Sequence, residues 1–509
     1  MKEISKGHPE FRKVLQKQEL KETEYRKMKY TLRADCAEGV LLCNAITGEL
    51  VLLSHEEAEK LDRLPASDVK WAETLVEDYF LVPADADEKQ TVDNLRKLFR
   101  DLWSPKFICQ YVVLSTTKCN ARCWYCFEQG CKQADMTPET ADQLADYMEQ
   151  HSGGKVLQLK FFGGEPLVNM ERIDQLCARL MEKGVRFRSD LVTNGYLLTE
   201  DVIRRAVRDW HTGTAQITLD GTEETYNRTK AYTVRDASPF QTVMRNIEAA
   251  LRAGIHVSLR LNVDLRNADD LMALAEELGQ RFERRNLHIY ASAIFSIQDE
   301  QPEGRIAQRQ KAARVEELNS RLVQLGFQRP IPRLPDLRLY HCSADVGLTR
   351  VIYPDGRLFV CDFVQEGEEI GCLGQAEEDE AAARRFEERT ELPECADCEI
   401  YPACCLSKNC PGLCTVNEIK CAGERERQIR RVIGAYHIIK ENPMEIEKYE
   451  PPRFWAVDVD MDNVIRTSGD TVDPYANCST LNCPTIEDGY CIGDYCSEDA
   501  EYPDPPWDV

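Results

Sequence analysis

No uncharged apolar run in this chain approaches the roughly 18 residues that a membrane-spanning helix needs, so no membrane segment is expected. The opening segment, MKEISKGHPEFRKVLQKQELKETEYRKMKY, has no apolar h-region. A secretory signal is therefore not expected, and the cytoplasm is the expected compartment. Basic residues are scarce: 64 Lys and Arg stand against 88 Asp and Glu, a net charge of -24. Binding to a phosphate backbone draws on clustered excess Lys and Arg, which excludes nucleic acid as the expected partner. From Thr467 to Val509 Lys and Arg are absent altogether, and ten acidic residues supply -10 of that -24. This tail reads as a separate unit with little independent structure, being rich in Pro, Gly and Asp and poor in aliphatics.

Cysteine, by contrast, is abundant. The chain has 22, ten of which are Cys342 or lie between Cys361 and Cys421. Without a signal peptide, such a count points to metal ligation or catalysis, because the reducing cytosol disfavours disulfides. At 509 residues the chain is too long for one core, and about two to four domains are expected.

Residues 28–100 read as a small winged-helix-like module: the hairpin pair YTLRAD and GVLLCNAITGELVLLS, two helical stretches, and the short strand YFLVP. Ser54 with Glu57 forms a capping box for the first helix, and Ser67 is placed to cap the second. An N-terminal arm, 1–27, precedes the module.

From 101 to 300 apolar runs alternate with amphipathic helices. The runs are ICQYVVLST, VLQLKFFGG, FRSDLVTNG, AQITLDG, HVSLRLNVD and LHIYASAIF, six in all. This alternation predicts parallel βαβ units, hence an α/β fold: a partial (β/α)6 barrel with active groups at strand C-terminal ends. One helix places Ile173, Leu176, Cys177, Leu180 and Met181 on one face, so Cys177 is expected in the core. A charged helical linker follows over 301–338, ending in the Pro-broken RPIPRLPDL. A Cys-rich domain spans 339–430, a C-terminal helix 431–456, and the acidic Cys-rich tail 457–509.

The segment TTKCNARCWYCFEQG carries Cys119, Cys123 and Cys126 with Tyr125 before the last. Structural zinc is normally closed by four ligands, whereas a metal centre that does chemistry keeps a position open. Three thiolates hold three corners of a four-iron, four-sulfur cluster and leave one iron free. A zinc knuckle is the plainer reading of the same three thiols.

The C-x3-C-x-aromatic-C pattern resembles that of the radical S-adenosylmethionine enzymes. The resemblance implies that S-adenosylmethionine chelates the open iron through its amino and carboxylate groups. Reduction by the cluster then releases a 5'-deoxyadenosyl radical that abstracts hydrogen from substrate. It extends to Gly163-Gly164-Glu165-Pro166 after the second strand, which looks like the family's GGEP loop for the methionine amino group. Thr193-Asn194-Gly195 after the third strand matches the usual TNG, and Leu219-Asp220-Gly221 and Arg260-x-Asn262 fall where the family places cofactor contacts. Each of these is weak alone: TNG also reads as a turn, and Arg260 as a salt-bridged strand residue.

The later cysteines, C-x13-G-x4-C from Cys342 through Gly356 to Cys361, then Cys395-x2-Cys398-x5-Cys404, Cys410-Pro411 and Cys421, resemble a SPASM domain, an extension with two auxiliary four-iron clusters. By resemblance Cys395, Cys398, Cys404 and Cys421 bind one cluster, and Cys342, Cys361 and Cys410 the other. The usual C-x5-C-x3-C spacing is broken here, so Cys410 and Cys414 are alternatives for one ligand position. Cys372 or Cys405 is a candidate fourth ligand to the cluster of Cys342, Cys361 and Cys410, or its iron stays open to a substrate thiolate. His341, beside Cys342, reads as a ligand, as a donor behind one, or as a structural His. A pair of zinc sites is the alternative that CxxC spacing also permits.

Residues 28–100 also resemble the peptide-recognition module of enzymes that modify ribosomally made peptides, where a leader adds a strand to a sheet edge. The tail cysteines Cys478, Cys483, Cys491 and Cys496 resemble the Cys-rich core of a thioether peptide, so the tail reads as a substrate-like segment, a disordered acidic tail or a metal-binding patch. The resemblance as a whole implies a peptide maturase with three four-iron clusters and S-adenosylmethionine. It would join a Cys sulfur to carbon on a precursor peptide or its own tail and take electrons from an external donor. Formylglycine formation, carbon-carbon cross-linking and epimerisation by the same architecture are alternatives, as is a non-enzymatic iron-sulfur electron carrier.

Overall fold

A computed structural model describes residues 1–15, 20–103, 107–126, 128, 131–294, 302–328, 330–340, 342–361, 367–375, 378–385, 391–408, 410 and 418–441. The chain divides into two compact units. One comprises Met1–Ser104, Pro330–Asp345 and Glu388–Val457; the other comprises Pro105–Arg329, Val346–Glu387 and Asp458–Val509.

The second unit carries the six expected strands. They are β1 (Gln110–Thr116), β2 (Leu157–Gly163), β3 (Phe187–Thr193), β4 (Thr212–Leu219), β5 (His256–Val263) and β6 (Leu287–Ala293). All five neighbouring pairs are parallel and in sequence order. Every residue of QYVVLST in β1 is buried, the pattern of a parallel strand covered on both faces. Between the strands run α1 (Pro138–His151), α2 (Met170–Glu182), α3 (Glu200–Arg208), α4 (Glu223–Lys230), α5 (Pro239–Arg252) and, after β5, α6 (Ala268–Arg281). Local sequence sets their starts. Thr137 accepts from the Thr140 amide with Pro138 in the first turn, and Thr199 accepts from the Val202 amide. In α2 the residues Ile173, Leu176, Cys177 and Leu180 are buried as expected, but Met181, at the edge of the stripe, is 42% exposed.

The sheet does not stop at β1. Thr349–Ile352 (β7) pairs parallel with β1, and Arg357–Phe359 (β8) and Gly371–Cys372 (β9) extend it antiparallel. Part of the segment 339–430, expected as a domain of its own, therefore belongs to the same sheet as the six barrel strands. Gly356, the glycine of the C-x13-G-x4-C pattern, makes the β7–β8 turn at φ 86°, a conformation that favours glycine.

The first unit contains a four-stranded antiparallel sheet in the order Lys2–Ser5, Leu50–Leu53, Gly39–Asn44, Thr31–Cys36. The expected hairpin segments supply three of its strands, with Thr31–Cys36 at one edge, while the N-terminal arm supplies an unexpected strand at the other. Tyr25–Lys27 and Leu81–Pro83 form a separate antiparallel pair. The Ser54–Glu57 capping box is present. Ser67 caps nothing: the next turns start at Lys70 and Glu73, after Val69 and Ala72, without side-chain caps. This unit also contains helices Pro9–Leu15, His55–Leu61, Glu88–Trp103 and Glu418–Glu441.

Candidate active site

The three cysteines of the first loop follow β1 directly. Cys119, Cys123 and Cys126 are all partly buried and unbridged. They lie close enough for each thiolate to act electrostatically on its neighbours, and burial pushes Cys119 up to about 12 and Cys126 up to about 11. Metal binding at these sulfurs has to displace protons. The Ala121 amide donates to Cys119 Sγ at 3.4 Å. Asn194 Nδ2 reaches Cys119 Sγ at 3.9 Å and Asn120 Oδ1 at 2.7 Å, bringing the TNG residues of the loop after β3 to the cysteine loop.

The loop after β2 packs on the same segment. A Cβ at Gly164 would lie 2.4 Å from the Lys118 carbonyl oxygen, and one at Gly163, where φ is 118°, would lie 2.4 Å from the Thr116 carbonyl oxygen. Only glycine fits this approach of main chain to main chain. Glu165 is fully buried. Its carboxylate accepts from the Thr193 hydroxyl at 2.7 Å, the Asn194 amide at 2.8 Å and the Leu167 amide at 3.1 Å. Burial outweighs these donors and raises Glu165 to about 7. Pro166 opens the short helical turn that follows.

A second cluster joins β4 and β5 to the cysteine loop. The Tyr125 hydroxyl lies 2.9 Å from Asp220 Oδ1, and Asn262 Nδ2 donates to Tyr125 at 3.0 Å and to Asp220 at 3.1 Å. Arg260, also on β5 and buried, donates to the Ser292 hydroxyl at 3.0 Å. Among the described residues, Asn120 Nδ2 and Asn262 Oδ1 are buried here with no hydrogen-bond partner.

Residues 113–278 match the family described as the radical SAM superfamily. They form a radical SAM domain. Three curated proteins are similar to part of the chain: an Fe-coproporphyrin III synthase of Methanosarcina barkeri, 25% identical over 166 residues (32% of this chain, 39% of that protein); a probable GTP 3',8-cyclase of Methanococcus maripaludis, 24% identical over 140 residues (28% and 44%); and the radical SAM cyclopropyl synthase TigE of Paramaledivibacter caminithermalis, 31% identical over 110 residues (18% and 23%). The chain thus spans less than half the length of each. Among solved structures, one described as native anSMEcpe with bound AdoMet superimposes with a TM-score of 0.50 at 13% identity, covering 67% of this chain and 100% of that one, a likeness of fold.

Within the radical SAM domain one buried residue went unread in the sequence. Lys230, at the end of α4, has a side chain only 3% exposed and pairs with Asp220 at 3.1 Å. A lone Lys in the last turn of a helix reads as a solvated complement to the helix dipole, so nothing local marks it.

The donor set suits the group that such a domain implies. Three soft thiolates on one loop leave a fourth corner open, and orphaned polar atoms of Asn120 and Asn262 border that loop. Among the described residues no three His, Cys, Asp or Glu side chains surround a single-ion position. A four-iron cluster would give each of the three thiolates its own iron.

The later cysteines divide between the units. In the first, Cys395 and Cys398 bracket one turn, the Cys398 amide bonding to the Cys395 carbonyl at 3.1 Å. The Leu406 amide donates to Cys404 Sγ at 3.4 Å. Cys405 is buried, with Arg427 Nη2 at 3.8 Å. Cys342 and Cys410 are electrostatic neighbours, and Cys342 is raised to about 12 by burial. Cys421 begins a turn inside helix Glu418–Glu441. In the second unit, Cys361 follows β8 and Cys372 lies on β9. His341, Cys414 and the tail cysteines fall outside the described residues.

Proposed function

We propose that this protein is a radical S-adenosylmethionine maturase of a ribosomally made peptide, forming a thioether between a Cys sulfur and a carbon. The observation that carries the first half is the three-thiol loop bordered by the Gly163–Pro166 and Thr193–Gly195 loops. When bound there, the cluster with S-adenosylmethionine supplies a carbon-centred radical able to abstract hydrogen. Cys119, Cys123 and Cys126 hold the irons. Gly163 and Gly164 keep side chains out of the way, and the Glu165 carboxylate, held by Thr193, Leu167 and Asn194, has one lone-pair site left, on the oxygen that accepts from Asn194, for an ammonium group. Tyr125, Asp220, Arg260 and Asn262 line the strand ends on the β4–β5 side.

The second half rests on the cysteine pattern after Cys342 and its resemblance to a SPASM domain. By that resemblance Cys395, Cys398, Cys404 and Cys421 would hold one auxiliary cluster, a group able to take up the electron left when sulfur bonds to carbon. The antiparallel sheet of the first unit offers an edge for a leader strand. The likeness to the AdoMet-bound fold and to the cyclopropyl synthase supports a carbon-bond-forming radical enzyme.

Anaerobic reconstitution followed by S-adenosylmethionine and dithionite tests the reading. 5'-Deoxyadenosine is expected, together with loss of a hydrogen pair per cross-link in a peptide encoded beside the gene or in the tail 457–509. Zinc in place of iron, or no 5'-deoxyadenosine, overturns it. An unchanged peptide mass with an inverted residue assigns epimerisation instead.

A further inference from the structure

We propose that Lys230 is a positioning residue for this chemistry: its ammonium group and its main-chain carbonyl together hold Tyr125 and the cysteine loop in register with the cofactor. The inference rests on the reading that Cys119, Cys123 and Cys126 bind the cluster.

The geometry is that of a clamp. Lys230 Nζ lies 3.1 Å from the Tyr125 hydroxyl, 3.1 Å from Asp220 Oδ2 and 2.5 Å from the Thr218 hydroxyl. Its three protons thus have three acceptors. The Tyr125 hydroxyl in turn is shared by Asp220 and Asn262, so the aromatic residue between Cys123 and Cys126 is fixed from three sides. The Lys230 carbonyl accepts the Arg122 amide at 2.8 Å, with Cys123 Sγ at 4.0 Å. Three residues on, the Thr233 amide and hydroxyl donate to the Asn120 carbonyl at 2.8 and 3.1 Å. Residues 230 and 233 therefore grip the cysteine loop at positions 120 and 122. Tyr232, from the same turn, donates to the Asn194 carbonyl at 3.2 Å, which links the grip to the loop after β3.

Two features argue for a role beyond packing. Ala231 ends α4 in the left-handed region at φ 45°, a strained choice for a residue other than glycine, and such strain persists only where its surroundings demand it. A fully buried ion pair is also a poor source of stability, since desolvation offsets most of the attraction; an apolar pair of similar volume would hold the fold as well. What an apolar pair would not do is direct the Tyr125 hydroxyl.

The test uses the full chain, reconstituted anaerobically, as wild type, Lys230→Met and Lys230→Arg. Iron per chain, the paramagnetic resonance spectrum of the reduced cluster with and without S-adenosylmethionine, and the metal-free melting temperature are read together. Lys230→Met is expected to bind S-adenosylmethionine roughly 10–100-fold more weakly, the cost typical of removing a group that orients a metal ligand, and to lose the spectral change that S-adenosylmethionine induces. Lys230→Arg, which keeps the charge, is expected to recover part of that change. A Lys230→Met protein that responds like wild type overturns the proposal, even if it melts lower. Should Lys230→Met not fold, Lys230→Gln, which keeps a donor for Asp220, is read in the same way; failure of both to fold makes the residue structural and also overturns it. A wild type without iron or without a spectral response sinks the cluster reading itself, which separates the two failures.

Discussion

The Glu165 carboxylate accepts the Thr193 hydroxyl at 2.7 Å, so the loops after β2 and β3 are one hydrogen-bonded unit. Neither end of this bond reaches solvent freely, and deleting one partner leaves the other buried and short of a bond. Thr193→Val is expected to cost about 1–3 kcal/mol of metal-free stability, read by chemical denaturation. Glu165→Gln should fall further in 5'-deoxyadenosine yield than Thr193→Val does. It turns one of the two carboxylate oxygens into a donor, facing either the Asn194 amide or the Leu167 amide, and removes the charge proposed to receive an ammonium group.

Burial raises Glu165 to about 7, which fixes a pH dependence. A carboxyl whose folded pKa lies above its unfolded value favours folding while protonated. Its contribution is therefore full below about pH 4.5 and is lost as pH rises through about 7. The metal-free protein is expected to melt lower at pH 8 than at pH 5, by a margin that shrinks in Glu165→Gln. An equal slope in both proteins would remove Glu165 as the cause.

Gly164→Ala addresses the main-chain approach at Lys118. The new methyl would stand 2.4 Å from a carbonyl oxygen that belongs to the cysteine loop's own entry, so relief requires moving the loop. Iron content at the first site should drop while the fold, read by circular dichroism, is kept. Gly154→Ala meets nothing within 4 Å and controls for composition, although its φ of 72° adds a small strain of its own.

Some of this was legible from residue patterns because parallel strands buried on both faces are written as unbroken apolar runs, and the six runs between 101 and 300 became the six strands. The motif residues at their ends could be placed for the same reason. Other features depend on partners distant in sequence. The strand Thr349–Ile352 pairs with β1, and Lys2–Ser5 pairs with Leu50–Leu53, and neither segment carries a local mark of its partner. Lys230 is the sharpest case: its type and helix position suit solvent, and only the convergence of Thr218, Asp220 and Tyr125 makes it interior. Ser67 failed as a cap because the chain runs on irregularly to Val69 before the first turn begins.

Cysteine replacement separates sulfur that binds iron from sulfur that packs. Cys119→Ala, Cys123→Ala and Cys126→Ala are each expected to abolish 5'-deoxyadenosine and remove one cluster's worth of iron. Cys177→Ala, in the buried stripe of α2, should lower stability by about 1 kcal/mol through lost packing while leaving iron unchanged. Loss of iron in Cys177→Ala would break the assignment of that thiol to the core.

The same contrast reaches the first unit through Cys405. Its sulfur lies 3.8 Å from Arg427 Nη2, and the Arg427 guanidinium pairs with Glu424, side chains 5% and 4% exposed. An iron bound at Cys405 would have to share the sulfur with this buried pair, whereas Cys395, Cys398 and Cys404 are only partly buried. Cys395→Ala combined with Cys398→Ala is therefore expected to remove one cluster's worth of iron and leave the S-adenosylmethionine response of the first cluster intact. Cys405→Ser should leave total iron unchanged and lower only the melting temperature. If Cys405→Ser instead removes iron, Cys405 is a ligand, and Arg427 and Glu424 become the residues that orient it.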